Sequence, residues 1–155
     1  MASLQHELKM TRPFASLAHE AHLSIARTAA VLEHVVDESF RSRQITATQF
    51  NVLRILRGAG EQGLCRAEIG ARMIRAVPDV TRLIDRLEDA GYVTRDRDGD
   101  DRRYVTTRIT QKGRALLAEL DADVLATHER LLGHLGQAKL RQLIALLADV
   151  REGHA

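Results

Sequence analysis

The chain has 155 residues, with 23 Lys and Arg against 21 Asp and Glu, and a single cysteine, Cys65. That length suits one domain, the net charge of +2 excludes a general basic field, and one cysteine excludes an internal disulfide. Aromatic residues make up 3%, Trp is absent and only two prolines occur, a composition that leans to helix. No apolar run approaches the ~18 residues a membrane span needs. The first residues, MASLQHELKMTRPF, lack the apolar stretch of a signal peptide, so a cytoplasmic protein is expected.

The first long helix is expected over 14–40, where Phe14, Leu17, Ala21, Ile25, Leu32, Val36 and Phe40 recur near a 3.5-residue period. One apolar stripe on so long a helix calls for other helices as cover, including those of a second subunit. Thr46 or Thr48 can cap the next helix, which buries Phe50, Leu53 and Leu56 and is broken by Gly58, Gly60 and Gly63. Leu64-Cys65 reads as a brief strand. Arg66–Met73 follows as a short helix with Ile69 and Met73 inward, and Met73–Val77 is the turn out of it.

The stretch from Pro78 to Arg103 carries the sharpest pattern. Val80, Leu83, Ile84 and Leu87 fall on one helical face. Pro78 suits the first helical position, Asp79 the positive N-terminal end, and Gly91 the residue past the C-terminus. Burying the apolar face turns Thr81, Arg82, Asp85, Arg86 and Asp89 outward. A hairpin is expected next, with strands near Tyr92–Arg95 and Arg103–Ile109 and a polar tip at Asp96–Arg102. Two short helices followed by a charged hairpin read as a winged helix-turn-helix. Beyond it, Thr110 can cap a helix over 111–132 with the stripe Leu116, Leu117, Leu120, Val124, His128 and Leu131. After Gly133 and Gly136 a last helix carries Leu140, Leu143, Ile144, Leu147 and Val150.

Charge follows this division. Residues 46–109 hold 12 basic and 10 acidic side chains, all the bases being arginine, whereas the flanking segments are neutral. Electrostatic binding must then depend on where particular arginines stand. Arg82 and Arg86 are candidates for guanine or phosphate contacts, with ion pairs to Asp79, Asp85 or Asp89 on the same helix as the competing use. Thr81, near the helix start, suits a base or phosphate contact, and Pro78, which has no donor, is expected to shape the helix start. Arg103 suits the narrow minor groove, and Arg97 and Arg102 suit phosphates.

The run Asp101-Arg102-Arg103, then Tyr104 to Gln111-Lys112-Gly113, resembles the wing signature of the MarR (multiple antibiotic resistance regulator) family. That signature is Asp-x-Arg, a strand, then Thr-x-x-Gly opening a long helix, and the likeness covers roughly residues 14–150. It implies a mostly α fold with a small β-hairpin wing. An N-terminal dimerisation helix (1–45), a winged helix-turn-helix (46–109) and C-terminal dimerisation helices (110–155) would form one compact domain. It further implies a homodimeric, ligand-responsive repressor that binds a pseudo-palindromic operator in double-stranded DNA. Asp101 would brace Arg103, and a small aromatic or phenolic effector would bind near His19, His22, Ala26 and Phe50. Relatives that sense peroxide use a cysteine in the first helix, a place Cys65 does not match, so Cys65 is expected to be structural.

Competing chemistry is thinner. His19 and His22 stand three apart, without the HExxH spacing or a nearby cysteine of a zinc site, so no metal is expected. His128 is expected in a core or interface. The glycines at 58, 60 and 63 lack the Lys-Ser/Thr of a P-loop, and no catalytic constellation assembles from spacing, so neither cofactor nor enzyme activity is expected. The alternative is a winged-helix protein-interaction module without DNA readout. Its support would be the acid on the recognition helix, where Asp79, Asp85, Glu88 and Asp89 outnumber the arginines.

Overall fold

The computed structural model describes residues 3–43, 45–97 and 105–153. The chain divides into two compact units, residues 1–39 and 40–155. In the first, a one-turn helix α1 (Leu4–Glu7) is capped by Ser3, whose hydroxyl accepts from the His6 N–H. The sequence pattern gave no hint of it. The long helix α2 (Leu17–Phe40) follows, starting three residues later than its apolar period suggests. Its stripe is open at the N-terminal end, where Leu17 is 85% exposed and Ile25 is exposed, half-buried at Leu32 and Val36, and buried at Phe40.

The second unit contains the core. Helix α3 (Ala47–Ala59) opens on a reciprocal capping box, Thr46 accepting from the Gln49 N–H and the Gln49 side chain accepting from the Thr46 N–H. Gly58 lies inside this helix, and the break falls at Gly60, whose φ of 69° is open to glycine. Strand β1 (Leu64–Cys65), helix α4 (Arg66–Arg72) and helix α5 (Val80–Asp89) come next, then strands β2 (Val93–Arg97) and β3 (Val105–Ile109). The sheet is antiparallel in the order β1-β3-β2, with Leu64 opposite Thr107 and Val93 opposite Ile109. Gly63 sets this register. A Cβ there would lie 2.5 Å from the Thr107 carbonyl oxygen, so only glycine lets β1 approach β3 this closely.

Val52, Leu53 and Leu56 of α3, Ile69 of α4, Leu87 of α5, Val93 of β2 and Leu117 and Leu120 of helix α6 (Gln111–Leu132) form a fully buried cluster. An Arg57–Asp121 fork at 2.6 and 3.2 Å joins α3 to α6 and holds the Asp121 carboxyl below its usual range. On α6 the buried face is Leu117, Leu120, Val124 and Thr127. His128 does not belong to it and is exposed. Thr127 lies seven residues after Leu120 on the same face, and its hydroxyl is satisfied there by donating to the Asp123 carbonyl at 2.9 Å. The last helix, α7 (Gly136–Glu152), has no buried residue, and Leu143, Ile144, Leu146 and Val150 are all exposed.

Candidate nucleic-acid interface

Helix α5 is amphipathic by sequence and oriented by its caps. Asp79 is the N-cap, its carboxylate accepting from the Arg82 N–H at 2.9 Å. Pro78 therefore lies one residue before the cap rather than at the first helical position, because the Asp79 side chain already satisfies the free N–H. Ile84 and Leu87 are buried at 2% and 0% exposure, while Thr81, Arg82, Arg86 and Asp89 are exposed. At the helix start Arg66 donates to the Thr81 hydroxyl at 3.3 Å, linking the first residue of α4 to the exposed face of α5.

The acid on α5 is largely engaged. Asp79 caps the helix, and Glu88 and Asp85 both bind Arg95 of β2. Arg95 donates through its backbone N–H and Nε to Glu88 at 3.1 and 2.7 Å, through Nη2 to the same carboxylate, and through Nη1 to Asp85 at 2.7 Å. Among the described residues no ion pair holds Arg82 or Arg86, so the expected competition from same-helix carboxylates is absent and both guanidinium groups face outward. The clamp also fixes β2, the first wing strand, against the helix. Hydrogen bonding to the Arg95 side chain holds the Glu88 carboxyl below the usual glutamate range. A depressed carboxyl contributes stability that is full above its unfolded value of ~4.3 and is lost as pH falls through the folded value. Glu88 is about one-third exposed, so screening limits the contribution to about 0.5–1 kcal/mol. Urea titrations should show Glu88→Gln less stable than wild type by that amount at pH 7, with the gap closing below about pH 4. A gap that persists to pH 3 would refute the clamp as its origin.

The C-terminus of α5 is held by the start of α6. Gly91, at φ 75°, turns the chain out of the helix, and its N–H donates to the Glu88 carbonyl at 2.8 Å. Lys112 Nζ donates to the Ala90 carbonyl at 2.8 Å, the Thr110 hydroxyl to the Gly91 carbonyl at 2.8 Å, and the Thr110 N–H to the Tyr92 carbonyl at 3.0 Å. Thr110 also caps α6 by accepting from the Gly113 N–H at 3.1 Å. The Thr-x-x-Gly motif is thus a joint between the exposed helix and the long helix that follows it.

Of the other expected contact residues, Asp101, Arg102 and Arg103 and the side chain of Arg97 lie outside the described residues. The effector candidates fall in both units: His19, His22 and Ala26 are exposed on α2, and Phe50 is buried on α3 against Phe40, ring centroids 5.1 Å apart. His19 Nδ1 accepts from the Ala15 N–H and its ring meets Phe14 edge-on. A shallow hollow in the first unit is lined by Phe14, Leu17 and Glu20 among others, without His19, His22 or Ala26. Cys65 is half-buried and caps α4, the Glu68 carboxylate accepting from its N–H at 2.8 Å. Among the described residues no group of three or more His, Cys, Asp or Glu could hold a metal ion, and no helix is long and apolar enough to cross a membrane. The sequence reading did not single out Arg66 or Arg95. An arginine opening a helix and another seven residues after a glutamate are common, and only the fold brings each to its partner.

The profile of the MarR family matches residues 45–105. The HTH-type transcriptional regulator YkoM of Bacillus subtilis is 32% identical over 118 residues, which span 76% of this chain and 75% of that protein. The chain belongs to the MarR family. A MarR transcription factor from Planctomyces limnophilus is 40% identical and superposes with a TM-score of 0.69, covering 88% of this chain and 98% of that one. The structure of Bordetella bronchiseptica BpsR, solved to explain regulation of its DNA binding by 6-hydroxynicotinic acid, shares the fold at 22% identity and a TM-score of 0.78, covering 90% of this chain and 98% of that chain. As a MarR-family protein the chain is a DNA-binding transcriptional regulator and not an enzyme. Helix α5 is the second helix of its winged helix-turn-helix.

Proposed function

We propose that this MarR-family regulator acts in the cytoplasm as a homodimeric, ligand-responsive repressor that reads a pseudo-palindromic operator through Thr81, Arg82 and Arg86. Pro78 and Asp79 shape the start of the reading helix. Asp101 and Arg103 serve the minor groove, and Arg97 and Arg102 the phosphates. The observation that carries the reading is the state of the recognition-helix charges: Asp79, Asp85 and Glu88 are engaged, while Arg82 and Arg86 face outward. The same observation weakens the protein-interaction alternative, whose support was the acid on that face.

Dimerisation is supported by apolar side chains left open on α2, α6 and α7, among them Leu17, Leu125 at 61% and Ile144 at 64% exposure. A two-fold dimer buries such surface most economically, with residues 1–45 and 110–155 as its helices and 46–109 as the DNA-reading part. It sets the recognition helices about one DNA turn apart, roughly 34–36 Å. An effector releases DNA only by binding the released shape more tightly than the DNA-bound shape. Regulation of BpsR by an aromatic acid supports an effector of that class here, near His19, His22, Ala26 and Phe50.

The test is a salt titration of the purified protein on its own upstream intergenic DNA with random-sequence competitor. One dimer per palindrome is expected, with log affinity falling by about 0.9 for each phosphate contact per decade of salt. Binding no tighter than to the competitor, or a monomer at the operator, would overturn the proposal.

A further inference from the structure

We propose that Ile74 reads sequence, its side chain packing on the 5-methyl group of a thymine beside the recognition helix. The inference rests on the operator-reading proposed above. Ile74 lies in the turn between α4 and α5 and is 90% exposed. Every other large aliphatic side chain from 45 to 97 is buried or half-buried, including its neighbours Met73, Val77 and Val80. Single exposed apolar residues are ordinary on protein surfaces, but this one is held in place. Its N–H donates to Asn51 Oδ1 of α3 at 3.1 Å, the preceding Met73 is half-buried in extended backbone, and the β-branched side chain is stiff at χ1. Presenting it to a partner costs little conformational entropy.

The surroundings select the partner. Arg72 and Arg75, both exposed, flank Ile74 in sequence, and Pro78 to Arg82 begin the recognition helix a few residues on. A protein partner would need a contiguous apolar patch of several hundred Å², and the helix-turn-helix exposes no second large aliphatic residue to extend one. A polyanion that carries isolated apolar groups fits better. In the major groove that group is the thymine methyl. The turn leading into a groove-bound helix lies at the groove edge, where one such methyl can be covered in each half-site.

The test uses an operator selected from a random duplex library with the wild-type protein, then resynthesised with deoxyuridine replacing each thymine in turn. At one thymine, repeated symmetrically in both half-sites, loss of the methyl should weaken wild-type binding about fourfold per half-site, the worth of one buried methyl, and about 15-fold for the two together. Ile74→Ala should lose a similar factor on the thymine operator and nothing further on the deoxyuridine one, with an unchanged melting temperature because the side chain is exposed. If no deoxyuridine position weakens wild type, or if Ile74→Ala loses the same additional factor on both operators, the assignment of Ile74 is wrong while operator reading stands. If selection enriches no sequence, the operator-reading proposal falls and this inference with it.

Discussion

Gly113→Ala is expected to destabilise the protein by about 2–3 kcal/mol, although alanine is the better helix former by about 0.5–1 kcal/mol. Gly113 lies in the first turn of α6 and is buried. A Cβ there would come within 2.4 Å of the Tyr92 carbonyl oxygen and 2.8 Å of Ile109 Cγ1. The first obstacle is backbone, so no rotamer change relieves it. The helix start must move away from Tyr92, which stretches the Thr110 N–H bond to the same carbonyl at about 1 kcal/mol for the bond, on top of about 1–3 kcal/mol for overpacking. The control is Gly58→Ala on α3, where an added Cβ meets nothing within 4 Å. That substitution should stabilise by about 0.5–1 kcal/mol. Urea unfolding at neutral pH separates the cases by sign. Equal effects would show that helix propensity alone governs both sites and that the close approach at Tyr92 has no energetic consequence.

Much of the fold is legible because its signals are local. Thr46, Thr110 and Gly91 sit where their side chains or backbone freedom end helices, and the 3.6-residue period of Val80, Leu83, Ile84 and Leu87 selects the buried face of α5 without tertiary information. The errors have the same physical origin. Pro78 suits a first helical turn by residue type, but the Asp79 carboxylate caps the helix one residue later, which leaves Pro78 outside it. His128 sits at helical spacing from Val124, but the buried face continues through Thr127, seven residues after Leu120, and a local period does not choose between adjacent positions at the edge of a face. On the exposed face of α5 the residue types are legible in sequence, but their pairing is not. Nothing local indicates that Arg95 rather than Arg82 or Arg86 would take Asp85 and Glu88, since that choice is made by the distance between β2 and α5. The exposed apolar residues of α7, Leu143, Ile144 and Val150, are readable as apolar in sequence, but nothing local says what would cover them.

That division of carboxylates leads to the largest expected functional effect. With Arg95 binding Asp85 and Glu88 and no ion pair on Arg82 or Arg86 among the described residues, both guanidinium groups are available to base edges or phosphates. A bidentate arginine–guanine contact contributes about 1–3 kcal/mol of discrimination. On the proposed operator reading, two such residues in each of two half-sites would account for most of the roughly 4–10 kcal/mol that separates specific from non-specific binding. Arg82→Ala combined with Arg86→Ala should therefore bring operator binding down to the random-DNA level, a loss on the order of 10³-fold or more. Folding should be retained because both side chains are exposed. Lysine at both positions separates charge from geometry: it restores the salt dependence of a phosphate contact but not the bidentate fork. Should the lysine variant recover full specificity, the arginines act on phosphates and the bases are read elsewhere. Should the alanine variant bind the operator like wild type, α5 does not read DNA through these side chains.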